Sequence, residues 1–160
     1  MITQEKVLEL FEYRDGELYW KKDVAKNVKK GSQAGVPNPR NYKIIGIDGK
    51  TYRAHRLIYL MFHGDLPKII DHIDGNTLNN KINNLREAKS ADNSANSKLS
   101  KNNTTGAKGV FWKKRIKKWE VAVSYNKQRH HFGVYKDFEL AELVAIEARN
   151  KLHKEFARHV

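Results

Sequence analysis

Apolar residues recur at helical spacing in three parts of the chain. A short apolar face near the start predicts a helix over residues 3–11, for which Thr3 is a suitable N-cap. A mostly apolar run predicts a buried helix over residues 55–62. The longest stripe follows Asp137 and predicts a helix over residues 138–156. Each helix has one apolar face, so each is expected to pack against another element.

Alternation of apolar and polar residues predicts antiparallel strands elsewhere. Two hairpins are predicted over residues 13–20 and 42–54, because each run contains an Asp-Gly pair between alternating residues. Three further strands, separated by turns rich in Lys, Arg and Asn, are predicted over residues 109–113, 119–125 and 130–135. With the helix that follows them, these three strands predict a small α+β module, a sheet with one helix on a face.

The residues from 67 to 96 differ from both of these patterns, because they contain seven Asn. A strand predicted over residues 66–73 leads into a turn at residues 74–76. A loop or short return segment follows over residues 78–84, and residues 85–88 then lead into a helix that Ser90 should cap. So many side-chain amides in thirty residues are unusual for a surface loop and favour a functional site.

A change of composition separates this stretch from the C-terminal strands. Residues 94–108 consist almost entirely of Ser, Asn, Lys, Thr and Gly, which is typical of a linker. We therefore predict two domains, residues 1–100 and residues 101–160.

Charge narrows the class of partner. The 160 residues include 31 Lys and Arg against 18 Asp and Glu, a net charge of +13, which favours a polyanionic partner. The absence of Cys excludes disulfides and Cys-type zinc sites. No apolar run approaches the ~20 residues of a membrane span, and the first residues lack the order of a signal peptide. We expect a cytoplasmic protein that binds nucleic acid and no membrane.

The positive charge is concentrated in the C-terminal strands. Residues 101–136 hold ten Lys and Arg but one acid, Glu120. The sheet is therefore expected to be the basic surface, and the following helix carries the acids.

The Asp71-His72 pair is the strongest candidate for chemistry. Hydrolysis of a phosphodiester requires a base that activates water and a divalent cation that stabilises the developing charge. His is the natural base near neutral pH, and the oxygens of Asp and Asn suit Mg²⁺ or Mn²⁺. Neighbouring residues of a strand point to opposite faces, so a direct partnership needs a bend, for which Asp74-Gly75 is the candidate.

Residues 40–97 resemble the HNH endonucleases, in particular their phage and intron-homing branch. The resemblance is carried by Asp-His-Ile-Asp-Gly-Asn at residues 71–76, by the later Asn-Asn and Asn-Asn-Leu-Arg, and by Ser-Ala-Asp-Asn at residues 90–93. A preceding His-Arg-Leu-Ile and a Phe-His-Gly-Asp-Leu-Pro run also fit. The resemblance implies a ββα-metal site with a core motif at residues 67–97, in which two strands and a helix surround one divalent ion.

Carried over residue by residue, the resemblance implies roles for four side chains. Asp71 would be a metal ligand and His72 the general base. Asn84, or less favourably Asn83, would tie the loop so that His72 stays oriented. Asn93 would be the second metal ligand, with Asn96 as the alternative because it shares a helical face with Asn93. An Asn where the wider family often has His disfavours zinc and favours Mg²⁺.

Residues 106–157 resemble the DNA-binding domain of plant ethylene-response factors, a module also found fused to phage HNH nucleases. The matching residues are Gly109-Val110, Trp112, Lys118-Trp119, Val121, Val123 and Phe132-Gly133-Val134-Tyr135. The resemblance implies that the sheet enters the major groove of double-stranded DNA while the helix packs behind it. The residues expected to contact DNA are Lys113, Arg115, Lys117, Arg129 and His131.

The periodicity of the second C-terminal strand agrees with this arrangement. Trp119, Val121 and Val123 share one face, which should meet the helix. The other face, formed by Glu120, Ala122 and Ser124, should be turned toward DNA. The plant module has more Arg on its strands, which argues against strong base-specific recognition here.

Together these patterns predict an α+β protein, a ββα-metal nuclease domain followed by a three-stranded antiparallel sheet packed on one helix. The expected activity is Mg²⁺-dependent DNA endonuclease chemistry of the homing type, by a phage-encoded protein acting in a bacterial host. One site per chain should nick one strand, as a monomer, and a double-strand break would need a homodimer or two events. The alternative is a non-catalytic DNA-binding protein on a degenerate nuclease fold.

Overall fold

The computed structural model describes residues 2–159. It contains small antiparallel sheets and a few helices, divided into two compact units that separate between Ala88 and Lys89. The mixed α and β content predicted from the sequence is confirmed. None of the helices in the described part of the chain is long and apolar enough to cross a membrane.

The first unit contains two helices, seven strands and one 3-10 turn. In chain order they are α1 Gln4–Leu10, β1 Phe11–Arg14, β2 Glu17–Trp20, β3 Val36–Pro37, β4 Lys43–Ile47, β5 Lys50–Arg53, α2 Ala54–His63, β6 Ile70–His72, the 3-10 turn Ile82–Asn84 and β7 Leu85–Glu87. The strands form three antiparallel sheets: β1 with β2, β4 between β3 and β5, and β6 with β7.

Local sequence explains the beginning of this unit. The Thr3 side chain accepts a hydrogen bond from the backbone of Lys6, as expected of an N-cap. Both predicted hairpins form, and their Asp-Gly pairs adopt the left-handed backbone that two-residue turns require; φ is 46° at Asp15 and 48° at Asp48.

Helix α2 is the centre of the first core. Leu57 and Ile58 are fully buried and pack in one cluster with Phe11, Leu18 and Ile45 from the surrounding strands. Burial of such side chains contributes roughly 1.5–3 kcal/mol each. Because α2 is fixed on its apolar side, the side chains of its first turn have defined positions.

The β6–β7 pair departs from prediction in two ways. The strand expected over residues 66–73 is limited to Ile70–His72, because only three residues of β7 pair with it. Residues 85–88, expected to lead into a helix, instead supply β7, with Arg86 directly opposite Asp71. The predicted turn after His72 is present, with the Gly75 backbone N–H donating to the His72 carbonyl at 2.8 Å.

The second unit consists of a short helix, a three-stranded sheet and a long helix. The elements are α3 Ser90–Ala95, β8 Val110–Lys113, β9 Lys118–Tyr125, β10 Gln128–Tyr135, α4 Phe138–His153 and a 3-10 turn Lys154–Phe156. Strand β9 lies between β8 and β10, and all pairs are antiparallel. The N-cap of α3 is Lys89, one residue before the predicted Ser90.

Helix α4 packs on one face of this sheet. Val121 of β9 and Ala141 and Ala145 of α4 are fully buried in one cluster, so the helix covers the apolar side of the sheet. Asp137 caps α4, since its carboxylate accepts from the Leu140 backbone at 2.7 Å. The helix ends at His153 and not at residue 156, because Lys154 adopts a positive φ of 50°.

The division between the units lies about a dozen residues before the predicted boundary near residue 101. Residues just after Ala88 are bound to the C-terminal sheet: the Tyr125 hydroxyl donates to Asp92 at 2.9 Å, and Lys108 Nζ donates to the Ser97 carbonyl. The proposal that residues 1–100 and 101–160 are separate domains stays a prediction.

Candidate active site and nucleic-acid interface

His72 lies at the end of β6 and is 4% exposed. Its Nε2 lies 3.0 Å from the side-chain oxygen of Asn80. The ring of His55, from the first turn of α2, meets the ring of His72 edge-on at 5.0 Å between centroids. Strand, loop and helix therefore each fix one side of the imidazole.

Asn80, a residue of the loop after His72, contacts the candidate base. It is 1% exposed, and among the described residues its Nδ2 has no hydrogen-bond partner. A buried polar group is normally paired, so the Asn80–His72 bond is the one strong interaction that this amide makes. The sequence contained seven Asn in this stretch and no feature that separated Asn80 from the others.

His55 lies in the first turn of α2 and is buried. Its burial, and then the charges of His72 and Arg53, lower the pKa of His55 from 6.5 to about 3. His55 is therefore neutral at physiological pH. With the Tyr42 ring 5.5 Å away, it forms an aromatic wall beside His72.

Asp71 lies next to His72 but has a different partner, as the pleat of a strand requires. Its carboxylate is 5% exposed and accepts from Arg86 Nε at 3.1 Å and from the terminal nitrogen at 3.0 Å. This ion pair was not predicted, because it depends on the strand β7 that the sequence did not reveal.

Asn84 ties together the loop that follows His72. Its side-chain oxygen accepts from the Asp74 backbone at 3.0 Å, and its nitrogen donates to the Asp74 carboxylate at 2.9 Å and the Asn79 carbonyl at 2.8 Å. Partial burial alone would raise the pKa of Asp74, but hydrogen bonds from Asn79, Asn76 and Asn84 lower it below its usual value. These bonds are those of a loop-tying residue, whereas the bond to His72 comes from Asn80.

In the second unit, three of the five predicted DNA-contact residues converge on Glu120. The Glu120 carboxylate lies 2.9 Å from Lys113 Nζ, 3.0 Å from a terminal nitrogen of Arg129 and 3.2 Å from His131 Nδ1. The Arg129 guanidinium also lies over the Phe111 ring at 4.8 Å. The cations thus form an ordered group around one acid.

The other two predicted DNA-contact residues are not among the ion-pair partners of Glu120. Arg115 and Lys117 are exposed on the turn between β8 and β9, where Lys117 has a φ of 48°. Their side chains extend from the turn into solvent, while the three near Glu120 stand on the sheet.

One expectation for the outer face of the sheet is wrong. Ala122 was expected to face DNA, but it is 4% exposed. It lines a cavity of about 300 Å³ together with Ala95, Phe111 and Ser94, so residues near α3 cover that end of the face. The accessible part of the outer face is the end that carries Glu120. Trp119 and Val121 pack toward α4, as predicted.

Comparison with known proteins matches a family model described as HNH endonuclease to residues 52–95. Protein 3.8 of Escherichia phage T7 is 40% identical over 113 residues, which cover 68% of this chain and 91% of that protein. The chain belongs to the family of Protein 3.8. It contains an HNH endonuclease domain. An SPbeta prophage-derived protein of Bacillus subtilis strain 168, YosQ, named provisionally as an HNH homing endonuclease, is 36% identical over 69 residues, 39% of each chain. No solved structure matches the chain significantly.

The HNH match begins in β5 and ends at Ala95, so it includes α2, β6, β7 and α3. The residues around His72 thus all lie inside it except Tyr42. The match does not extend into the C-terminal sheet, and the resemblance of residues 106–157 to the ethylene-response-factor domain stays a prediction.

The two alternative second metal ligands of the HNH motif lie in the second unit. Asn93 is exposed on α3, whereas Asn96, at the C-cap of α3, is 7% exposed. The choice between them stays a prediction.

The donor set fits a hard divalent cation. Among residues 2–159 there is no cluster of three or more His, Cys, Asp or Glu side chains that could hold a metal. Mg²⁺ needs only one or two protein ligands, because waters and substrate phosphate oxygens complete its coordination. The buried carboxylate of Asp71 is a suitable ligand of this kind.

Proposed function

We propose that this HNH protein is a Mg²⁺-dependent DNA endonuclease in which His72 is the general base. The observation that carries the proposal is the buried His72 imidazole, held between Asn80 and His55 next to the Asp71 carboxylate. An imidazole fixed in this way beside a carboxylate is the arrangement that a general base requires.

The hydrogen bond to Asn80 gives His72 a defined tautomer. An amide oxygen only accepts hydrogen bonds, so Nε2 carries the proton and Nδ1 keeps its lone pair. Nδ1 is then the atom that removes a proton from the attacking water. As the imidazole becomes positively charged, the Asn80 oxygen stabilises the Nε2–H group.

Asp71, together with Asn93, is proposed to hold the divalent ion. When bound, that ion would supply charge stabilisation for the phosphorane and for the leaving oxygen. Arg86 holds the Asp71 carboxylate in one orientation through two hydrogen bonds. Asn84 would contribute indirectly, by fixing the loop that also carries Asn80.

The outer face of the C-terminal sheet is proposed to bind double-stranded DNA. Residues 101–136 contain ten Lys and Arg and one acid, and the predicted contact residues lie on or beside that face. Such a surface attracts phosphates and gives salt-dependent affinity. The protein would place the HNH site on DNA through this face.

The biological setting is proposed to be that of a phage homing-type nuclease in the cytoplasm of a bacterial host. The support is the similarity to YosQ, which is named provisionally as an HNH homing endonuclease, and to a T7 protein. With one HNH site per chain, the monomer would nick one strand, and double-strand cleavage would require a homodimer or a second event.

Nicking of supercoiled plasmid tests this proposal. We expect conversion to open circles with Mg²⁺, no conversion with EDTA, and a loss of about 10²–10⁴-fold in His72→Ala. His63→Ala is the matched control, because His63 is an exposed His of the same unit and stacks on Tyr59. Wild-type nicking by His72→Ala would refute the assignment. DNA binding without any nicking by the wild type would establish the alternative, a non-catalytic DNA-binding protein.

A further inference from the structure

A carboxylate in the middle of a DNA-binding surface needs an explanation. Glu120 is the one acid in residues 101–136, and it lies on the central strand of the sheet. A negative charge at that place repels DNA phosphates and lowers affinity. If the cations acted only as phosphate contacts, a neutral residue would serve better.

The contacts of Glu120 are arranged around the Arg129 guanidinium. One carboxylate oxygen accepts from both Lys113 and Arg129, and the other faces His131. Glu120 is 8% exposed, and the hydrogen bond and charge of Lys113, with the charges of Arg129 and His131, lower its pKa. It therefore remains ionised at neutral pH and keeps its acceptors directed at these cations.

Phe111 defines a second side of the same guanidinium. Its ring lies under Arg129 at 4.8 Å, and it pairs directly across the strands with Glu120. A guanidinium has five N–H donors in one plane. With a ring on its face and a carboxylate on one terminal nitrogen, the plane of Arg129 is held on two sides, and Glu120 engages only one of its nitrogens.

A fixed guanidinium suits recognition of one particular base. Arg that presents two donors in a plane matches the O6 and N7 acceptors of guanine in the major groove. Arg115 and Lys117 have no acid of this kind among their described contacts and stand on a turn, as expected of residues that contact phosphates.

We propose that Glu120 is a positioning residue that, with Phe111, orients Arg129 to recognise a guanine, which makes this face base-selective at one position. The proposal rests on the proposed binding of DNA by the sheet. On this proposal the acid lowers the affinity for DNA but increases the discrimination between guanine and the other bases. It also explains why the sheet can be selective with few Arg on its strands.

To test this proposal, the full-length chain is used in EDTA to select bound duplexes from a randomised library. Affinities are then measured for the selected site and for its single-base variants. The wild type should prefer guanine at one position by about tenfold. Glu120→Gln and Arg129→Lys should each abolish that preference, although Arg129→Lys keeps the charge. The double variant should lose no more than either single one, because both act through one guanidinium.

A charge-matched control separates positioning from electrostatics. Glu147→Gln removes an exposed acid from α4 and should leave the base preference unchanged. Lys117→Gln should weaken binding to all sequences alike and reduce the slope of log affinity against log salt by about 0.9. Circular dichroism of each variant checks that the fold is kept.

Different outcomes would overturn the two proposals. A wild type without any guanine preference, or Glu120→Gln that keeps it, overturns the role of Glu120 while binding by the sheet stands. If Lys113→Gln, Arg129→Gln and Lys117→Gln together leave DNA affinity unchanged, the sheet is not the DNA-binding surface and both proposals fall.

Discussion

The surroundings of His72 and of Arg129 fix a functional side chain by opposite means. His72 is buried, and the groups that hold it are an amide and an aromatic wall without net charge. Arg129 is exposed and is held by the Glu120 carboxylate, which also contacts Lys113 and His131. Burial makes the first arrangement insensitive to salt, whereas charge at the surface makes the second sensitive to it. The chain thus separates the orientation of its proposed base from the attraction of its substrate.

The largest effect is expected from removal of the amide beside His72, because this change should affect the proposed base and leave DNA binding unchanged. Asn80→Ala should lower the nicking rate about a hundredfold at saturating DNA, because the imidazole loses its tautomer and orientation. The affinity for DNA should not change. Asn83→Ala is the control, since Asn83 is an exposed amide of the same loop. A loss confined to KM would show that Asn80 does not act through His72.

The Nε2–H tautomer can be observed directly. Long-range nitrogen–proton correlation spectra of the wild type should show the His72 proton on Nε2, and the spectrum of Asn80→Ala should show a mixture. A proton fixed on Nδ1 in the wild type would contradict the proposed assignment of the base.

Loss of the loop anchor should reduce stability. Asn84→Ala removes three hydrogen bonds and leaves the Asp74 carboxylate and the Asn79 carbonyl without that partner. We expect a loss of about 2 kcal/mol in the free energy of unfolding, measured by urea denaturation. Asn76→Ala, in the exposed part of the same loop, should cost less. Equal stability of Asn84→Ala and the wild type would be inconsistent with a loop-tying role.

Removal of the two positive charges on the turn between β8 and β9 should lower the affinity for DNA without changing the rate of the reaction. Arg115→Gln with Lys117→Gln should weaken DNA binding about tenfold and reduce the salt slope by about 2, because two phosphate contacts are lost. The nicking rate at saturating DNA should remain that of the wild type. A reduced rate at saturation would mean that the turn also contributes to the reaction.

The smallest expected effect is a pH dependence of folding due to His55. Its pKa is about 3 in the folded chain and near 6.5 when unfolded, so the unfolded state binds more protons below pH 6.5. Stability is therefore complete above that pH and falls as the pH decreases, by about 0.7 kcal/mol between pH 7 and pH 6. His55→Phe should remove this contribution in denaturation curves at both pH values. An unchanged pH dependence in the variant would rule it out.

Local sequence was sufficient for the elements whose signals are local. The Asp-Gly turns at residues 15 and 48 and the cap at Asp137 depend on a few neighbouring residues, and each forms as predicted. The Asp71-His72 pair was recognisable because the motif is continuous.

The contacts that fix the candidate sites depend on pairings between distant residues. Arg86 meets Asp71 because β6 and β7 pair in one particular register, and β7 is too short to show an alternating pattern. Asn80 reaches His72 through the path of a loop, which composition does not define. Glu120 looked like an isolated acid because its three partners come from two other strands.

Because β6 and β7 pair over only three residues, an insertion in β6 should inactivate the proposed nuclease site as effectively as replacement of a side chain. Successive residues of a strand alternate between faces, so one residue inserted before Asp71 would turn the carboxylate and the imidazole each to the opposite face and move the imidazole beyond the last strand pair. Every chemical group would still be present, but none would be in its place. A chain changed in this way would retain its entire HNH motif, and the displacement of its two central side chains would be invisible to any search that looks only for the motif.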